Sequence, residues 1–209
     1  PKRNLFHGSK YLEKADEFDL ILKTPGIAMA EFSNCIKNDD KITSQTELFL
    51  QFFRSRVIGV TGTKGKSTTS SLIHHILKET GHSSILAGNI GSPIFDYLDK
   101  HNGTFVLELS SHQLEHCRFS PHISVLLNIF PEHLDHYKSF EDYAEAKWQI
   151  ALHQNKDDIL ILPNDLYQCA AAKKDLKAKV QVFDIQRLKL DGINSIGFGE
   201  NSIFYRDDN

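Results

Sequence analysis

The sequence predicts an α/β fold: a mostly parallel sheet with helices on both faces, built around a phosphate-binding loop. Three observations predict it. Short apolar runs alternate with stretches of helical periodicity, the order expected of βαβ units. A loop of glycine, lysine and serine joins one such run directly to one such stretch. The composition, 40% hydrophobic and 24% charged over 209 residues, is that of a folded water-soluble chain. The length suits one full domain, or one domain and a piece of another.

In chain order, Asp19–Lys23 reads as a strand that stops at the turn Thr24-Pro25-Gly26. A domain boundary is expected near Phe52–Arg56. Val57–Val60 is β-branched and leads into the glycine loop. Ser67–Thr80 follows as a helix, with Leu72, Ile73, Ile76 and Leu77 as its apolar stripe and Gly81 as its stop. Ser84–Ala87 is the next strand, ended by Gly88-Asn89-Ile90-Gly91. Thr104–Leu109 and Ile123–Leu127 are further strands, and Phe140–Gln154 is a helix. Asp158–Leu162 and Lys179–Phe183 flank a helix near Leu166–Leu176. Ser195–Arg206 reads as a hairpin around Gly199-Glu200-Asn201.

Charge and cysteine usage narrow the function classes. A formal net charge of -3 gives no electrostatic case for nucleic acid or an anionic membrane. No apolar run reaches the roughly 20 residues of a membrane span, and no signal peptide opens the sequence. Cys35, Cys117 and Cys169 are far apart and form no CxxC pair, which fits a reducing cytoplasm. A monomer is expected. The sequence begins at Pro1 and its only methionine is Met29, so it is read as part of a longer protein.

Thr61-Gly62-Thr63-Lys64-Gly65-Lys66-Ser67 carries the strongest chemistry. A triphosphate needs glycines that let backbone N–H groups approach, a lysine for the β/γ charge, a hydroxyl for the metal and a helix N-terminus. Gly62, Gly65, Lys66 and Ser67 supply these in order, with Thr68 beside them. The general motif would place a glycine at Val60, so this is a narrower variant.

Three more strand ends bear chemistry. Glu108 lies in an apolar run, where a carboxylate is costly unless paired or metal-bound; an edge-strand glutamate facing water is the other reading. Ser110 and Ser111 follow it. Glu132, His133, Asp135 and His136 cluster after Asn128 as candidate metal or phosphate contacts, or as a polar surface loop. Lys147 shares a helical face with Phe140, Tyr143, Ala144, Ile150 and Ala151. Burial there would lower its pKa and leave it nucleophilic, whereas a stripe-edge position would let it snorkel to water. Asn89 is either a ligand contact or a turn asparagine.

Thr61–Thr68, Gly88-Asn89-Ile90-Gly91, Glu108–Glu115 and His133-Leu134-Asp135-His136-Tyr137, in this order, resemble the Mur ligases, and most the branch that adds D-glutamate. Thr24-Pro25-Gly26-Ile27 and Thr46-Glu47-Leu48-Phe49 resemble the first domain of that branch. The resemblance implies a P-loop ATPase-like central domain over 54–209, incomplete, preceded by a remnant of a UDP-binding Rossmann-like domain over 1–53. The third domain is absent, so this chain alone is expected not to ligate. The implied activity joins D-glutamate to UDP-N-acetylmuramoyl-L-alanine through an acyl phosphate, with ATP, in peptidoglycan synthesis.

Residue by residue, the resemblance puts the nucleotide on Gly62, Thr63, Lys64, Gly65, Lys66, Ser67 and Thr68. Lys66 would hold the β/γ-phosphates and Ser67 a first Mg2+. Glu108 and His133 would hold a second Mg2+. Lys147 matches the family lysine carbamylated by CO2, which would serve as a further metal ligand. Lys66, His133 and Lys147 are the catalytic candidates. Asn89 and Ser110 would border the muramoyl-alanine, and Pro25 and Gly26 the uridine diphosphate. Lys64 stands where asparagine is commoner, His112 where phenylalanine is usual, Glu132 where aspartate is usual and His136 where arginine is common. Competing readings are another Mur-type ligase or folylpolyglutamate synthase, a metal-dependent hydrolase on the His133 loop, and a non-catalytic nucleotide-binding module.

Overall fold

Parallel strands need crossovers, and the lengths between the apolar runs leave room for one helix each. The computed structural model describes residues 6–7, 11–27, 31–32, 35–90, 93–97, 102–133, 135–171, 176–184, 195–199 and 202–206. Gly91, Leu134, residues 172–175 of the expected late helix, and the Glu200-Asn201 turn lie outside the described residues.

The elements are β1 (Ile21–Lys23), β2 (Ile42–Ser44), α1 (Gln45–Phe53), β3 (Val57–Thr61), α2 (Lys66–Glu79), β4 (Ser84–Gly88), β5 (Thr104–Glu108), α3 (Ser111–Leu114), β6 (Ile123–Leu126), α4 (Phe140–Leu152), β7 (Ile159–Pro163), α5 (Asn164–Ala171), β8 (Lys179–Asp184), β9 (Ser195–Gly199) and β10 (Ser202–Arg206). β1 and β2 form a separate parallel pair. The main sheet has eight strands in the order β10-β9-β8-β7-β6-β3-β5-β4. All its neighbours run parallel except β9 and β10, which form the expected antiparallel hairpin.

The strand order fixes the layers. β3 to β4 steps one way across the sheet, while β5 to β6 to β7 to β8 steps the other. Right-handed crossovers therefore put α2 on one face and α3, α4 and α5 on the opposite face. The reversal of direction occurs beside β3, which is where open sheets of this kind bind ligands.

The main core joins Phe105, Leu107 and Leu109 of β5 and its end to Trp148 and Ile150 of α4 and to Phe49 and Leu50 of α1. Phe49 and Phe105 meet edge to face at 4.9 Å, worth about 1 kcal/mol beyond their burial. Ser44 caps α1 by accepting from Glu47 N, and Arg118 donates to Glu47 and to the Ile42 carbonyl. A second small core holds Ala15, Phe32, Ile36 and Ile42. Sequence reading misses β2 and α1 because both are short and carry their apolar residues without a sustained period.

The apolar stripe expected on α2 requires a correction. Only Ser70 of this helix is buried; Leu72 and Ile76 are 55% and 51% exposed. Ile73 and Leu77 sit half-buried toward the sheet, and Leu72 and Ile76 stand one side off that line. Among the described residues α2 is the only helix on its face, so nothing further covers those two side chains.

Candidate functional site

β6, β3, β5 and β4 are adjacent, so their carboxyl ends bring Asn128, the Thr61–Ser67 loop, Glu108 and Gly88-Asn89 to one edge. β3 ends on Thr61, and Leu127 N donates to the Thr61 carbonyl at 2.9 Å. The chain turns into α2 at Gly65, whose φ of +86° is the left-handed region that glycine enters without cost. The amides of Lys66, Ser67 and Thr68 open the helix and have no acceptor within it. Ser67 and Thr68 are exposed, and the helix dipole adds to the attraction for an anion.

Lys66 is folded onto its own loop. Its Nζ donates to the carbonyls of Gly62 at 2.9 Å and Thr63 at 3.0 Å. Thr63 and Lys64 do not present free amides, since Thr63 N donates to the Asn128 carbonyl and Lys64 N to Asn128 Oδ1. The Lys64 side chain is 71% exposed and pairs with Glu132 Oε1 at 2.5 Å. That bond raises the Lys64 pKa and lowers that of Glu132. Two positions that depart from the family pattern thus face each other, a link that neither substitution reveals separately.

Lys147 is 2% exposed, on the buried face of α4. Its Nζ donates to the Gly62 carbonyl at 2.9 Å and lies 4.8 Å from the centroid of the Tyr143 ring. Burial first, and the neighbouring Lys66 second, push its pKa down to about 7. Lys147 does not snorkel to water, because its amine points inward onto the phosphate loop. Tyr143 continues the chain: its hydroxyl hydrogen-bonds Thr63 Oγ1 at 3.0 Å, and Phe130 N donates to the same oxygen. Spacing puts Tyr143 on the Lys147 face, but its link to the loop needs the third dimension.

Glu108 is 1% exposed, which excludes the reading as a water-facing edge residue. Asn89 Nδ2 donates to Glu108 Oε1 at 2.8 Å, and Asn89 N donates to the Glu108 carbonyl. Glu108 Oε2 is buried with no hydrogen-bond partner. Gly88 makes this approach possible: a Cβ there would stand 2.3 Å from the Glu108 carbonyl oxygen, at φ +103°. A buried carboxylate oxygen without a donor fits a cation.

His133 adopts φ 56°, and its Nε2 lies 3.8 Å from Glu132 Oε2. Its ring meets His112 edge to face at 5.3 Å, and His112 meets His136 at 4.3 Å. His136 Nε2 lies 3.5 Å from Glu115 Oε2, and Glu115 lies 3.8 Å from Lys23. Lys23 Nζ donates to the Ile27 carbonyl at 2.6 Å, so the exposed turn with Pro25 and Gly26 is tied to the same flank. Ser110 Oγ is spent as a cap, accepting from Gln113 N at 3.2 Å.

Among the described residues, no three His, Cys, Asp or Glu side chains converge as a metal cage. The hydrolase centre considered on Glu132, His133, Asp135 and His136 therefore lacks its geometry. Mg2+ asks less of a protein, since it is usually held by one or two carboxylates, waters and substrate phosphates. Glu108 Oε2 and the Ser67 hydroxyl suit that donor set.

The Mur ligase middle domain family matches residues 60–201. This chain belongs to the Mur ligase family. Among curated relatives, the UDP-N-acetylmuramoylalanine–D-glutamate ligase of Clostridium botulinum (strain Loch Maree / Type A3) is 40% identical over 166 residues, covering 78% of this chain and 36% of the relative. That of Clostridium kluyveri (strain ATCC 8527) is 36% identical over 187 residues, covering 88% and 41%. This member thus spans roughly 36–41% of the length of these curated relatives. Among solved structures, the UDP-N-acetylmuramate:L-alanyl-gamma-D-glutamyl-meso-diaminopimelate ligase of Neisseria meningitides aligns with a TM-score of 0.55. It is 18% identical, covers 87% of this chain and 65% of its own, and shows the Mur ligase fold alone.

Proposed function

We propose that these residues form the nucleotide half of an ATP-dependent amide ligase that adds D-glutamate to UDP-N-acetylmuramoyl-L-alanine in peptidoglycan synthesis. The observation that carries it is the buried Lys147 amine seated on the carbonyl of the phosphate loop. The likeness to relatives named for D-glutamate addition supports the choice of amino acid.

Catalysis of phosphoryl transfer rests on positioning and charge neutralisation. The open amides of Lys66 to Thr68 receive phosphate oxygens. Lys66 leaves the Gly62 and Thr63 carbonyls for the β/γ-phosphates. Ser67 would hold a first Mg2+, and Glu108 and His133 a second with carbamylated Lys147 as a further ligand; the metal would supply charge neutralisation for phosphoryl transfer. Asn89 fixes Glu108 with one oxygen turned free. The amine of Lys147, with its pKa pushed down to about 7, is competent to take up CO2 as a carbamate with release of a proton, which would put an anion next to the phosphate loop. Pro25 and Gly26 border the uridine diphosphate, and Ser110 the muramoyl end. Residues 1–53 and 54–209 are assigned to the substrate-binding and central domains, acting in the cytoplasm as a monomer.

The test is direct. With 13C-labelled bicarbonate, the protein should show a carbamate carbon signal that Lys147→Met removes. Retention of that signal in Lys147→Met, or its absence from the parent at near-neutral pH, would sink the Lys147 assignment.

A further inference from the structure

Asn128 follows β6 and reaches across to the loop after β3 with every hydrogen-bonding group it can use there. Its carbonyl accepts from Thr63 N at 3.0 Å. Its Oδ1 accepts from Lys64 N at 2.9 Å, and its Nδ2 donates to the Lys64 carbonyl at 3.0 Å. The side-chain amide thereby stands in for one more residue of a neighbouring strand, extending the β3–β6 ladder beyond its last pair, Thr61 with Leu126. Asparagine carries an acceptor and a donor at a fixed separation; aspartate loses the donor, and alanine loses both.

We infer that Asn128 is a positioning residue for the nucleotide, which brackets the apex of the phosphate loop and confines the anion seat to the amides of Gly65 to Thr68. This rests on the reading that the loop holds a nucleotide. Two consequences follow from the bonds. The Thr63 and Lys64 amides are already spent, so phosphate oxygens meet only the amides that follow. The apex is also ordered before ligand arrives, which removes part of the ordering cost of binding. Thr63 Oγ1, held by Phe130 N, ties the same apex to the start of the His133 loop.

The test uses this chain, ADP with and without magnesium, and residue-resolved amide NMR. Adding ADP to the parent should shift and protect the Gly65, Lys66, Ser67 and Thr68 amides and leave Thr63 and Lys64 little changed. Asn128→Ala should weaken ADP about tenfold, the effect of losing two neutral hydrogen bonds, and speed solvent exchange at Thr63 and Lys64. Asn128→Asp should also weaken ADP, since it keeps the acceptor for Lys64 N, loses the donor to the Lys64 carbonyl and adds a negative charge beside the phosphate loop. A variant that melts earlier yet keeps its ADP affinity would make Asn128 merely structural and overturn the inference. Thr63 and Lys64 amides that exchange freely in the parent, or that take the ADP shifts, overturn it independently of either variant's folding. A parent that binds no ADP instead overturns the nucleotide reading itself.

Discussion

At the scale of single residues, the site depends on charged groups placed where water is scarce. Lys147 has the largest consequence for pH. Its folded pKa, about 7, lies below the value near 10.4 of an unfolded lysine. The unfolded chain then binds more protons between these values, so in CO2-free buffer stability should rise with pH from about 7 to about 10.4. Below pH 7 both states are protonated and this contribution is flat. Urea unfolding across that window should show the slope, and Lys147→Met should remove it. Glu108 predicts a different separation. Glu108→Gln can still accept from Asn89 but loses the charge, so it should weaken magnesium-dependent ATP binding about tenfold or more and leave metal-free binding unmoved. Calorimetric titration with and without magnesium checks this; equal loss in both would remove Glu108 from the metal's surroundings.

At the scale of elements, the sequence is legible where period and punctuation agree. The strands β3 to β8 and the helices α2 and α4 follow from β-branched runs, helical spacing and the stops at Gly81 and Gly88. What stays hidden is contact between elements. The partner of Glu108 is Asn89, nineteen positions earlier, because β4 and β5 pair in parallel with Gly88 opposite Glu108. No local pattern reports that register. The same holds for Leu72 and Ile76, whose spacing marks them as apolar but cannot say whether a second layer lies above them. Gly88→Ala tests the β4–β5 junction. It forces a positive φ on a residue with a Cβ and drives that atom into the Glu108 carbonyl, so a loss of more than about 2 kcal/mol is expected in urea unfolding. A neutral result would mean that the strand ends part without cost.

At the scale of the whole molecule, the described residues supply a glycine-lysine-serine loop at a helix N-terminus, a buried amine and one free carboxylate oxygen on a single sheet edge. The chain spans roughly 36–41% of the length of the curated relatives. This chain alone should therefore bind ADP with magnesium and release no phosphate when given ATP, UDP-N-acetylmuramoyl-L-alanine and D-glutamate together. A coupled phosphate assay decides it, and release that needs both substrates would show that the residues present suffice for ligation.

The bracket made by Asn128 also has a kinetic side. Lys64 and Asn128 are 64 positions apart, so the loop acquires its set only after β6 has docked beside β3. Contacts of such sequence separation are completed late, after the entropy of closing the intervening chain has been met. Nucleotide should then find nothing to hold in partly folded chains. Its presence should slow unfolding while leaving the refolding rate where it was.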